Sequence, residues 1–286
     1  MSTQEALQEY DNCAAKIFSK ENKKWSISER FQATALQKAV EGLVEKRGMG
    51  ERMWDPAAPE KGKAIVCVMP SQNIGQARVV RTFPGDSGVD DQWDREITIW
   101  QAARATTAAS SFFKPQKLGS GPTAQTYIDA AIGVNNPVVP LLKEAVQEFG
   151  TGRRLGCVVS IGTGTRERKL GRALNGLKNL TQGPRYYVHL INTVKSTATD
   201  AEAAHHDLQS KLLLFPGSYF RFNVPEAAEQ VKLHHYEKIP ELKAMTTKYL
   251  ANEEVTAQVC EIAEGLQTDG FDHGLTLGLI RKSIRL

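Results

Sequence analysis

Two periodicities alternate along the chain: apolar residues at helical spacing in some segments, and short unbroken or alternating apolar runs in others. Leu7, Tyr10, Ala14 and Phe18 recur behind Ser2-Thr3-Gln4-Glu5, a capping-box pattern, and predict a first helix. Ser26-Ile27-Ser28-Glu29 repeats the device. It predicts a helix through Phe31, Leu36, Val40 and Leu43, closed by Lys46-Arg47-Gly48. Ala64 to Val68 is continuously apolar and stopped by Pro70, the signature of a strand buried on both faces. Val79 to Phe83 predicts the next strand, residues 84–94 a Gly- and Asp-rich surface loop, and Glu96 to Ala109 a small-residue helix suited to close packing on a sheet.

The middle of the chain is organised around Tyr127 to Val138. Tyr127 and Ile128 close a short β run, and Asp129 follows where the strand should end. Gly133 is expected to make the next turn at positive φ. Asn136 and Pro137 read as N-cap and first position of a helix that turns Val139, Leu142, Val146 and Phe149 inward and stops at Gly150. Leu155 to Ser160 is a further core strand, and strand, helix and strand in this order predict a βαβ unit with a largely parallel sheet. Beyond Tyr186 the pattern is helical to about Leu214. Tyr219 to Val224 alternates like a strand, Pro240 and Asn252 each open a helix, and Leu275 to Leu286 is a short basic amphipathic piece.

Composition narrows the function classes. A net charge of +4 over 286 residues is too small to imply a nucleic-acid partner. Cys13, Cys67, Cys157 and Cys260 are scattered, which fits thiols in a reducing compartment better than a disulfide frame or zinc site. The N-terminus is polar and helical rather than a signal peptide, and no run reaches the ~18 apolar residues of a membrane span, so cytoplasm is the expected location. Residues 152–185 carry eight Lys or Arg against Glu167 alone. That stretch is read either as a solvated loop or as a face for anionic phospholipid headgroups.

The chemistry centres on Asp129, a carboxylate at the end of a strand that faces a loop and a helix start, where α/β sheets bind ligands. By itself it also fits a side chain capping the turn before Asn135. Three ordered blocks decide the reading. Tyr127 to Pro137, with its acid, small linker and Asn135-Asn136-Pro137, resembles the second catalytic block of the patatin-like phospholipases. Trp100 to Phe113 resembles the family's upstream Trp-x-Ala-Ala-Arg-Ala-Thr-Ser-Ala-Ala run, and Ser160-Ile161-Gly162-Thr163-Gly164 its downstream turn. Weaker similarity to fungal members extends from Met1 to about Leu250.

The resemblance implies a patatin-like three-layer α/β/α sandwich and a Ser-Asp dyad. In that dyad a serine in a Gly-x-Ser-x-Gly elbow attacks an ester carbonyl and the aspartate takes its proton. Asp129 then holds the proton-acceptor position. The substrate would be phospholipid or acylglycerol, with transient membrane-surface contact and no cofactor or metal. The sequence departs from the pattern in two ways. Ala130 replaces the family glycine after the acid, which would strain the turn if that residue needs positive φ, and no Gly-x-Ser-x-Gly occurs anywhere. Gln4 to Phe18 resembles the helical region after the elbow, which puts the oxyanion loop, the elbow and their strands upstream of Met1. The expectation is therefore an incomplete, N-terminally truncated sandwich over 1–250 with a helical tail over 251–286, inactive as written. The alternative is a non-catalytic lipid-binding or interaction protein on the same scaffold.

Other side chains read as structural. Ser87, in Gly85-Asp86-Ser87-Gly88, resembles a chymotrypsin-type nucleophile, but all six histidines lie beyond residue 188 and that chemistry needs one upstream. Ser120 lies between two glycines without the elbow's spacing, and Ser160 matches a structural family position. Arg104, among alanines, is expected to be packed and bonded to loop carbonyls or an acid. The pairs His205-His206 and His234-His235 are expected on the surface rather than on a metal.

Overall fold

The computed structural model describes residues 1–26, 29–57, 62–85, 95–121, 124–164, 201–225, 227, 231–268, 270–271 and 273–284. The chain divides into two compact units, Met1–Asn135 and Asn136–Leu286. Both mix helix and strand, which gives the α/β class the sequence led us to expect.

In the first unit, α1 (Thr3–Ile17) begins at the expected capping box. Ser2 Oγ accepts from the Glu5 backbone, and the Glu5 carboxylate accepts from Ser2 N. Its buried face is Ala14 and Ile17, while Leu7 and Tyr10 are exposed. Helix α2 (Ala33–Lys46) starts well after the Ser26 signal. Ser26 Oγ does accept from Glu29 N at 3.3 Å, but the chain then runs extended so that Phe31 can pair with Lys23 and enter a core with Ile17, Leu36 and Phe113. Burying a phenylalanine outweighs continuing a helix from a weak cap.

Strands β1 (Ile65–Pro70), β2 (Arg78–Arg81), β3 (Gln116–Leu118) and β4 (Gln125–Asp129) form one sheet in the order β2-β1-β4-β3. Every pairing in it is antiparallel, with Met69 opposite Ile128 and Val68 opposite Asp129. The sheet face bearing Val68, Val80, Leu118 and Tyr127 packs on α3 (Ile99–Thr106) through Ala102 and Ala105. Those small side chains let the helix lie close, as the alanine-rich pattern predicted. Helix α3 is shorter than expected and opens at Thr98, whose hydroxyl accepts from Gln101 N in a capping box.

In the second unit, α4 (Val138–Phe149) follows Asn136, whose Oδ1 accepts from Val138 N. Gly150 ends α4 at φ 75°. Strand β5 (Val158–Ile161) pairs in parallel with β6 (Tyr219–Phe222), forming a separate two-stranded sheet. The expected βαβ unit is therefore corrected. β4 and β5 belong to different sheets, and β5 takes its parallel partner from far downstream. An apolar run reports that a strand is buried but not the direction of its neighbour. A helix α5 is described over 201–211, followed by α6 (Ile239–Leu250), α7 (Glu253–Thr268) and α8 (Leu277–Ile284). Asn252 Oδ1 caps α7 by accepting from Glu254 N and Val255 N. Leu275 and Ile280 pack with Val138, Leu142, Val158, Leu208 and Leu212 in the core of this unit. Among the described residues no helix is long and apolar enough to cross a membrane.

Candidate active site

The residue to which the sequence analysis assigned chemistry sits where a strand gives way to a turn. Asp129 is the last residue of β4 and the N-cap of a one-turn 3-10 helix, Ala130–Ile132. Its Oδ1 accepts from Ala131 N at 2.8 Å, and its own N–H donates to Ala108 O at 3.2 Å. Antiparallel register puts its side chain on the face of Val68 and Tyr127, the face covered by α3. Near that end of the helix Thr106 Oγ1 donates to Cys67 O at 2.8 Å, tying α3 to β1 beside the acid. The carboxyl is half-buried. Loss of hydration raises its pKa above the ordinary value of 3.8, with the Ala131 N–H pulling the other way. A carboxylate held in this condition binds a proton more willingly than a solvated one, which is what a proton acceptor requires.

Two expectations about this turn are corrected. Gly133 is not at positive φ; its φ is −137°. A Cβ there would lie 2.6 Å from Met69 Cε, the far end of a flexible side chain that would have to shift to admit it. Ala130 is helical and 3 % exposed, and the only non-glycine at positive φ among the described residues is Ser111. The methyl group of Ala130 therefore does not strain the carboxylate.

Asn136 and the downstream Ser160–Gly164 turn meet in the second unit, whereas the Trp100–Phe113 block stays in the first, on α3. Asn136 is buried, donates through Nδ2 to Ala201 O at 3.2 Å, and accepts from Ser160 Oγ at 3.4 Å. Arg221 Nη1 donates to Ser160 Oγ at 2.9 Å, and its Nη2 reaches Glu202 Oε1 at 3.4 Å. Asn223 joins through Nδ2 to Glu202 Oε1 (3.1 Å), and its Oδ1 accepts from Gly164 N at 2.8 Å. Tyr219 and His205 continue this polar group, with His205 Nδ1 3.0 Å from the phenol oxygen. Burial lowers the His205 pKa and raises that of Tyr219, so both are held neutral, and we assign the phenol as donor to Nδ1. The sequence had placed His205 on the surface. Its ring is half-buried because Tyr219 on β6 offers it a partner.

Arg104 is 1 % exposed, donates through Nη2 to Lys114 O at 2.8 Å, and lies 5.7 Å from the centroid of Phe113. That is the packed role expected for it. Desolvation lowers its pKa, and Nη1 has no hydrogen-bond partner among the described residues. Ser120 Oγ donates to Glu96 Oε2 at 2.9 Å, an exposed pair at a turn. Ser87, most of the loop 84–94, and the basic stretch from residue 165 onward lie outside the described residues. No cluster of three or more metal-ligating side chains occurs among the described residues.

The scaffold is α/β, and its candidate residue is a partly desolvated carboxylate at a strand end. Comparison with known proteins narrows the reading. Residues 4–142, which include Asp129, match the family described as patatin-like phospholipase, and this part of the chain belongs to that family. The chain is also similar to calcium-independent phospholipase A2-gamma from several mammals. Identity is 28 % over 237 residues of the Rattus norvegicus protein (81 % of this chain, 28 % of the relative). It is 32 % over 219 residues for Oryctolagus cuniculus (74 % and 26 %) and 29 % over 219 residues for Homo sapiens (75 % and 26 %). The chain spans about a quarter of the length of these relatives. The family and the relatives together support a lipid-hydrolase lineage.

Proposed function

We propose that Asp129 occupies the proton-acceptor position of a Ser-Asp acyl-ester hydrolase acting on phospholipid or acylglycerol. We propose further that these 286 residues, taken alone, do not turn over ester. The observation that carries the first part is the Asp129 carboxyl at the end of β4, inside the family-matched segment and raised in pKa by lost hydration. The second part rests on the sequence, which holds no Gly-x-Ser-x-Gly. A base has nothing to activate without a hydroxyl in reach. Ser160 is bonded to Arg221 in a different unit, and Ser120 faces Glu96 in solvent. These bonds leave neither serine placed as the nucleophile, and the second reading is a lipid-binding protein on a hydrolase scaffold. The four cysteines, none of them in a disulfide, favour a reducing compartment, and the cytoplasm is our reading.

The experiment compares the 286-residue chain with a chimera carrying the elbow segment of a relative in front of it. The chain alone should hydrolyse phosphatidylcholine at background rate, and the chimera should label with a fluorophosphonate and turn over. Asp129→Asn should cut that turnover by about a hundredfold or more, the scale of a lost general base. Turnover by the 286 residues alone that disappears in Ser120→Ala or Asp129→Asn would sink the silent-chain reading. A labelled, active chimera indifferent to Asp129→Asn would sink the assignment of the base.

A further inference from the structure

Trp25 stands wholly in solvent, with 108 % of a reference exposure. The chain around it is firmly braced. Lys23 bridges Phe31, Lys24 N donates to Arg30 O at 2.7 Å, and Gln32 N donates to Asn22 O at 2.9 Å. Lys24 Nζ also pairs with Glu29 Oε2 at 3.1 Å. The base of this turn is an aromatic cluster: Phe31 meets Phe18 edge-on at 5.1 Å and stacks on Phe112 at 6.3 Å. Phe31 is 3 % exposed. A turn anchored this well on one side would be expected to fold its largest apolar side chain inward, yet it holds the indole outward.

Charge surrounds that indole. Residues 16–30 hold five cations, Lys16, Lys20, Lys23, Lys24 and Arg30, against Glu21 and Glu29. Lys20, Lys23 and Lys24 are all exposed.

We propose that Trp25, with Lys20, Lys23 and Lys24, is an interfacial anchor that seats the protein on an anionic phospholipid surface. The indole enters at headgroup level, and Lys20, Lys23 and Lys24 face lipid phosphates. Tryptophan prefers the membrane–water boundary because its ring is apolar and its N–H still bonds there. A protein pocket would fit less well, because a binding hot spot needs surrounding contacts that exclude water. Here the flanking Lys23 and Lys24 are exposed. The inference shares its lipid partner with the function proposed above but is read by binding, so failure of one leaves the other standing.

The test is co-sedimentation of the full chain with sucrose-loaded vesicles, of phosphatidylcholine alone or mixed with phosphatidylserine. The wild-type chain should bind the mixed vesicles, more weakly as salt rises, with a blue shift of tryptophan emission. Trp25→Ala should lose about tenfold in partitioning, together with the blue shift. Lys20→Gln with Lys23→Gln should lose roughly thirtyfold on mixed vesicles and nothing on neutral ones, at about 1 kcal/mol for each surface lysine. These side chains are exposed, so circular dichroism should match wild type in every variant. The anchor is overturned if wild type ignores mixed vesicles, if Trp25→Ala binds as wild type does, or if Trp25 stays equally quenched by acrylamide with vesicles present.

Discussion

Asp129 ends β4 and Ser160 lies near the end of β5, both in family-like blocks, but the protein treats them in opposite ways. The Ser160 hydroxyl is enclosed by Arg221 and Asn136, and through Glu202 and Asn223 nearly every polar atom of the group finds a partner. The Asp129 carboxyl is partly stripped of water and receives one backbone N–H at one oxygen. The network is largely hydrogen-bonded, although Arg221 Nε has no partner among the described residues and Glu202 is partly exposed. The first arrangement fixes local geometry, and the second leaves a carboxyl whose ionised form is disfavoured by lost hydration.

The contrast predicts effects of opposite sign. Arg221→Met should cost about 2–3 kcal/mol in urea unfolding, because Glu202 and Ser160 lose a charged partner in a largely buried setting. A loss under a few tenths would mean the network is ornamental. Asp129→Asn should instead raise stability by roughly 1 kcal/mol at pH 8, since the amide still accepts from Ala131 N and carries no charge to desolvate. The sign follows from linkage. With its folded pKa above 3.8, the carboxyl binds a proton more tightly folded than unfolded, so stability falls as pH rises through that interval. The Asn advantage should open with rising pH and close toward pH 4; a gain independent of pH would refute the desolvation account.

Ala130→Gly should cost about 0.5–1 kcal/mol and not improve the site, because Ala130 is buried and helical. A stability gain would restore the idea of strain. The smallest effect belongs to His205, whose folded pKa is lowered. The unfolded chain then takes up a proton first, and the second unit should lose a few tenths of a kcal/mol as pH falls below about 6.5. Faster amide exchange in β5 and β6 at pH 5.5 in wild type, absent in His205→Gln, would bear this out. Equal exchange in both would not.

Local devices were readable from the sequence, and partners were not. The Ser2–Glu5 box, the Gly150 stop and the Asn252 cap all act within four residues, and each formed where its pattern lay. The Ser26 signal failed as a helix start because Phe31 answers to distant phenylalanines rather than to its own turn. Asp129 at a strand end was legible from Tyr127, Ile128 and the turn residues after it. The antiparallel neighbours of β4 were not, because burial leaves no trace of strand direction. Gly133 was singled out for the wrong reason, since the methionine that occupies the space of its missing Cβ is far away in sequence. His205 was misplaced because Tyr219, which pairs with it, shows only as strand pattern until the fold brings the two together.

The seat of Leu275 and Ile280 beside Val138 and Leu142 bears on how the polypeptide matures at the ribosome. The four strands described for the first sheet all lie within residues 1–135 and can pair once β4 emerges. The later half cannot close then, because Leu277 N must reach Arg153 O and Gly278 N must reach Thr151 O before α4 is covered. Until those residues leave the exit tunnel, the greasy side of α4 waits for its cover, and a stalled nascent chain would offer that surface to chaperones.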